Sequence, residues 1–142
     1  MADFDGDGRL DVTGVDGRQL RLFKNDGTGK FTDVTGGRGD LSKPVADAAC
    51  LAWADFDNRG RQDLFVGVLE GPNRFFRNGG EGTFADASEE IGLTQKVFNT
   101  RAMCVVDLNG DRVGDVVFNN QGQESAVLLG DPKRVADVGS RQ

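Results

Sequence analysis

Apolar positions along the chain alternate in short runs and show no helical stripe. Cys50, Leu51, Ala52, Trp53 and Ala54 set small residues against large ones, the pattern of a strand apolar on both faces and therefore an inner strand. Residues 63–69, rich in Leu, Val and Phe, predict a second strand. A turn at Gly71, Pro72 and Asn73 leads to a third strand over 74–77. Asn78, Gly79, Gly80, Glu81 and Gly82 then make a hairpin signal that returns the chain as a fourth strand over 83–87. The same order of signals occurs earlier as 20–24, a turn over 25–29 and 30–34. It recurs in weaker form as 126–129, a turn over 130–133 and 135–138.

Between these runs one acidic nonapeptide occurs three times: Asp3-Phe-Asp5-Gly-Asp7-Gly-Arg-Leu-Asp11, Asp55-Phe-Asp57-Asn-Arg59-Gly-Arg-Gln-Asp63 and Asp107-Leu-Asn109-Gly-Asp111-Arg-Val-Gly-Asp115. Its first aspartates are spaced 52 residues apart in both intervals. A repeat of this period with four strands per unit predicts an all-β chain of β-propeller blades, each a four-stranded antiparallel sheet. The units run over about 1–46, 47–98 and 99–142, giving two and a half to three blades, because the first unit lacks the strand that should precede Asp3.

Carboxylates at positions 1, 3, 5 and 9 of one short loop repel each other unless a hard cation with several oxygen ligands sits among them. Ca²⁺ tolerates such a flexible cage. The expected ligands in the first loop are Asp3, Asp5, Asp7 and Asp11 with the Arg9 carbonyl. In the third they are Asp107, Asn109, Asp111 and Asp115 with the Val113 carbonyl, although Arg112 stands where the turn glycine should be. The second loop offers Asp55, Asp57 and Asp63 with Arg61 at the carbonyl position, but its fifth position is Arg59. That guanidinium could bridge Asp55 and Asp63 in place of a metal. An EF-hand is excluded, since its twelfth position needs a bidentate Glu and here holds Gly14, Val66 or Phe118.

The loop followed by Phe-Lys/Arg-Asn-x-Gly-x-Gly-x-Phe-x-Asp resembles the FG-GAP/VCBS repeats of integrin α-type propellers. It is most similar to those of the ASPIC/UnbV, or cartilage acidic protein, family. The resemblance covers nearly the whole chain, weakening in the third unit, where most of the Asn-Gly hairpin is lost. Propellers of this kind close with seven blades, so the resemblance implies a fragment of a larger propeller or a chain that self-associates to cover its exposed blade faces.

A net charge of −6 argues against nucleic acid or anionic lipid as partner, and three divalent ions would bring it to zero. The absence of His removes imidazole catalysis and His-ligated metals, and nearly all the acids belong to the loops or to the strand-end position Asp33, Asp86 and Asp137. No enzyme is expected. Cys50 and Cys104 read either as small buried residues or as a pair. Arg38-Gly39-Asp40 occupies an inter-blade segment and reads as a structural turn before an adhesion motif. Residues 1–20 hold no signal peptide and no membrane span, yet loops of this kind need extracellular or periplasmic calcium, so a leader is expected upstream. The expected function is a calcium-binding propeller segment of an extracellular binding or adhesion protein, whose assembled face takes a protein or carbohydrate ligand. The alternative is a non-catalytic propeller module attached to a secreted enzyme such as a polysaccharide-degrading hydrolase.

Overall fold

The alternating runs fold as strands close to their predicted ends. A computed structural model of the chain describes residues 1–130. The first unit gives β1 (Val12–Asp16), β2 (Gln19–Asn25) and β3 (Phe31–Asp33), an antiparallel three-stranded sheet in that order. The second gives β4 (Ala48–Ala54), β5 (Asp63–Gly71), β6 (Arg74–Asn78) and β7 (Phe84–Asp86), a four-stranded meander. The third gives β8 (Phe98–Val106), β9 (Asp115–Asn120) and β10 (Ala126–Leu128). The turn expected at 130–133 and the strand expected at 135–138 lie, but for Gly130, outside the described residues. Apart from two single-turn 3₁₀ helices, Asp40–Ser42 and Leu93–Gln95, the described chain has no helix, and none is long and apolar enough to cross a membrane.

Alternation along β5 places a core on each side of the second sheet. Leu64, Val66 and Val68, with Phe76 of β6, pack against Phe4, Leu20, Leu22 and Leu41 of the first unit. Phe65 and Phe75 face the other way, onto Phe98, Val116, Phe118 and Leu128 of the third. Phe65 and Phe75 have ring centroids 4.7 Å apart, and Phe56 meets both edge-on. Each such aromatic contributes about 1.5–3 kcal/mol through burial. The strand buried on both faces is thus β5. β4, expected as the inner strand, is mostly half-buried, because in the sheet it pairs only with β5.

The second and third units share one continuous seven-stranded sheet, which the blade-by-blade reading did not anticipate. β5 and β8 are each nine residues long and outrun their partners within the unit, and their ends pair at Leu69 with Asn99 and at Gly71 with Phe98. A buried polar relay fixes this junction. The Val68 amide donates to Asn73 Oδ1 at 2.8 Å, Asn73 Nδ2 donates to Thr100 Oγ1 at 2.8 Å, and that hydroxyl donates to Asn120 Oδ1 at 2.7 Å. Both cysteines are free thiols. Cys50 is half-buried, and an added Cβ at Gly67 would lie 2.4 Å from its Sγ. Cys104 is exposed, contrary to the expectation of burial, because opposite Val117 it lies on a stretch of β8 left open to solvent.

The Arg38-Gly39-Asp40 segment joins the first two units. Arg38 Nε donates to the Val34 carbonyl at 3.1 Å while its guanidinium lies 5.2 Å from the Phe4 ring centre. Asp40 accepts the Asp86 amide at 2.8 Å and pairs with Lys43 at 2.7 Å. Gly39 bridges Phe84 in the left-handed region (φ 67°), and a Cβ there would fall 2.3 Å from the Phe84 carbonyl oxygen. The tripeptide therefore holds two sheets together. Gly39→Ala should destabilise the protein by about 1–3 kcal/mol in urea unfolding, from backbone strain plus the clash; an unchanged midpoint would show that this contact does not hold the units together.

Candidate metal loops

Each nonapeptide loop wraps by turning left-handed at its fourth and sixth positions. These are Gly6 and Gly8, then Asn58 and Gly60, then Gly110 and Arg112, with φ between 55° and 86°. Glycine and asparagine enter this region at little cost. Arg112 does not, so the third loop carries backbone strain at the position where the glycine was missed. What stabilises the wrap is the first aspartate. Asp3 accepts the amides of Gly6, Asp7 and Gly8 at 2.8–3.0 Å. Asp55 accepts those of Arg59 and Gly60 at 2.7–2.8 Å. Asp107 accepts those of Gly110, Asp111 and Arg112 at 2.8–3.2 Å, and the Arg112 amide above all holds its carboxyl below the usual range.

The ninth aspartate closes the loop onto the neighbouring chain. Asp11, Asp63 and Asp115 are buried, at 1%, 0% and 0% exposure. Each accepts the amide of the loop's second residue, from Phe4 and Phe56 at 3.2 Å and from Leu108 at 2.7 Å. Each also accepts an amide from the strand two further on or the residues just after it: Asn25 at 2.9 Å, Asn78 at 2.8 Å and Gly130 at 2.9 Å. Burial pushes the Asp11 carboxyl up, against the pull of its two amides. The same burial, aided by the neighbouring Asp57, raises Asp63 to about 6.

The third and fifth positions differ from loop to loop. In the first, carboxylate oxygens of Asp3, Asp5 and Asp11 lie within 4.8 Å of one another. Asp7 stands outside that group. Its Oδ1 accepts the Arg9 amide at 2.9 Å, the main reason its carboxyl titrates low, and Lys24 Nζ lies 3.2 Å from its Oδ2. Lys24 also donates to Asp5, and these two carboxylates raise its own pKa, Asp5 the more. In the second loop Asp55, Asp57 and Asp63 form a second such group. There Arg59 meets Asp57 through Nε at 2.7 Å and approaches Asp63 at 3.8 Å, while Arg77 Nε lies 3.3 Å from Asp57. Arg59 thus bridges Asp57 and Asp63, where Asp55 and Asp63 were expected: its Nε reaches the carboxylate two residues back and its Nη2 extends toward Asp63 and the Asn78 carbonyl.

In the third loop no three carboxylates gather this closely among the described residues. Asn109 Nδ2 donates to Asp111 at 3.1 Å, and Asp111 accepts the Val113 amide at 2.9 Å, as Asp7 accepts that of Arg9. Arg61, at the corresponding seventh position, has no acid at position five to receive its amide. Sequence reasoning missed Lys24 and Arg77. Both stand just before an asparagine whose amide reaches the ninth aspartate, and the Lys/Arg-Asn pair common to both units was the available signal. The strand-end acids Asp33 and Asp86 cap turns, accepting the amides of Thr35 and Ser88 at 3.0 Å, while Asp137 lies outside the described residues.

Residues 3–66 and 55–118 each match the model of the FG-GAP-like repeat family, and the chain belongs to that family. Over 86 residues, 61% of this chain, it is 31% identical to Cartilage acidic protein 1 of Xenopus tropicalis, of which the match covers 12%. It is equally similar to Cartilage acidic protein 1 of Homo sapiens, with 11% of that protein covered. The matched segment is thus about one-eighth of the length of these relatives.

The buried ninth carboxylate makes stability depend on pH. Asp63, raised to about 6 from an ordinary 3.8, binds a proton more readily folded than unfolded. Its protonated form is therefore stabilising below about pH 4, and that contribution, about 3 kcal/mol, is lost as pH rises through about 6. Urea unfolding in EGTA should show this loss, and Asp63→Asn should abolish the slope over that interval. An unchanged slope in the variant would place the titration elsewhere.

Proposed function

We propose that this chain is a calcium-binding β-propeller segment of an extracellular binding or adhesion protein, in which the metal is structural. The observation that carries the reading is the first loop, where three carboxylates lie within 4.8 Å of one another and Lys24, partly exposed, is the side-chain cation paired with one of them. A hard divalent cation fits that donor set, and Asp3, Asp5, Asp7, Asp11 and the Arg9 carbonyl would supply its oxygens. In the third loop Asp107, Asn109, Asp111, Asp115 and the Val113 carbonyl are the corresponding set. Leu129 there takes the place that Lys24 holds in the first, so among the described residues no side-chain cation pairs with this loop.

Bound calcium would replace repulsion among the carboxylates with attraction and hold the loops at the ends of β1 and β9. Loops of this affinity class fill where free calcium is high, which supports an extracellular or periplasmic setting. The absence of histidine from the sequence supports reading the module as non-catalytic. Recognition of a protein or carbohydrate falls to the assembled propeller face. The outward faces of the terminal sheets, with Val12 and Phe23 on one and Val117 and Val127 on the other, are where further blades or a second copy pack.

Calcium should raise the melting temperature and magnesium should barely do so, because Mg²⁺ requires a tight octahedron these loops do not present. At a hundredfold excess over Kd each filled site adds about 2.7 kcal/mol. Asp111→Ala should weaken calcium binding to the third loop sharply. A melting temperature indifferent to both Ca²⁺ and EGTA would overturn the reading.

A further inference from the structure

The second loop has the acidic cluster of the first but a different neighbourhood. Position five, an acid in the other two loops, is Arg59, and the place of Lys24 is taken by Arg77. Asp55 and Asp63 each use both oxygens on backbone amides, which leaves Asp57 as the carboxylate free of them. Asp57 Oδ1 accepts a hydrogen bond from Arg59 Nε at 2.7 Å, while Oδ2 lies 3.3 Å from Arg77 Nε in an ion pair that makes no hydrogen bond, and the side chain is 3% exposed.

We infer that the second loop is closed by these two guanidiniums of the chain itself and takes no calcium. A divalent ion entering the cluster would sit beside two fixed positive charges, or would have to expel them and bury the carboxylates anew. Lys24 in the first loop is a single amine on a flexible stem, part exposed, and can swing out as the metal arrives. Arg77 cannot do so as readily, because its guanidinium lies 5.6 Å from the Phe75 ring centre and also pairs with Glu90. Arg59 is held too, its amide bonded to Asp55 and its Nη2 reaching the Asn78 carbonyl at 3.5 Å. The three loops are therefore unequal: one closed by two guanidiniums, one with Lys24 on Asp5 and Asp7 and Arg9 on Asp7, and one with no paired side-chain cation among the described residues.

The ion count part of this inference rests on the calcium reading of the other two loops, and two measurements on the full chain separate them. In calorimetric titration with CaCl₂ the wild type should bind two ions, Asp57→Asn should still bind two, and Arg59→Asp, which restores the acid at position five, should gain a third. In thermal melts in EGTA, Arg59→Ala should lower the melting temperature by several degrees, since it strips a buried carboxylate of its partner. Loss of one ion on Asp57→Asn, or an Arg59→Ala melting temperature in EGTA equal to or above wild type, would overturn the inference. If the wild type binds no calcium, the metal reading fails and the EGTA melts still decide whether the guanidiniums close the loop.

Discussion

Three buried carboxylates, Asp11, Asp63 and Asp115, each answered by two backbone amides, set the terms on which the sheets are joined to their loops. Each ties the start of its loop to a neighbouring segment of the same unit, so the loop cannot leave without exposing amides that nothing else would satisfy. The cost is an anion in the interior. Around it the first two loops gather more carboxylates, which favours positive charge nearby. The chain supplies it with Lys24 in the first unit and with Arg59 and Arg77 in the second. In the third no side-chain cation stands in the equivalent place, and the demand there is smaller, since Asn109 substitutes an amide for a carboxylate.

Much of this was legible in the chain. The period-two runs located the strands, and the 52-residue interval located the loops, because both depend on local spacing that the backbone must obey. Contacts between strands and loops distant in sequence were not legible. Lys24 and Arg77 reach the loops from strands paired across the sheet, and nothing in the nonapeptide itself points to them. Arg59 stands out in the sequence as a cation inside the loop, but its pairing with Asp57 follows from the direction the folded turn gives its side chain, which the sequence does not show. The pairing of β5 with β8 depends on both strands outrunning their partners, which composition does not show. Cys104 looked like a core residue by type and is exposed because its stretch of β8 is left open to solvent.

The structure divides labour between its sheet cores and its loops. Aromatic and aliphatic side chains alternating along β5 hold neighbouring units face to face, and segments such as Arg38-Gly39-Asp40 staple them at the edge. Neither needs a metal. The loops do need charge neutralisation, and there the repeats diverge although their backbones turn alike. The repeats thus keep one loop geometry while answering its carboxylates with different side chains of the chain.

Hydrogen exchange of the loop amides, followed by NMR in Ca²⁺ and in EGTA, tests this account most directly. The amides of Gly6 and Gly8 in the first loop and of Gly110 and Arg112 in the third should exchange more slowly with calcium, while those of Arg59 and Gly60 in the second should be equally protected in both conditions. Equal slowing in all three loops, or no change in any, would contradict it.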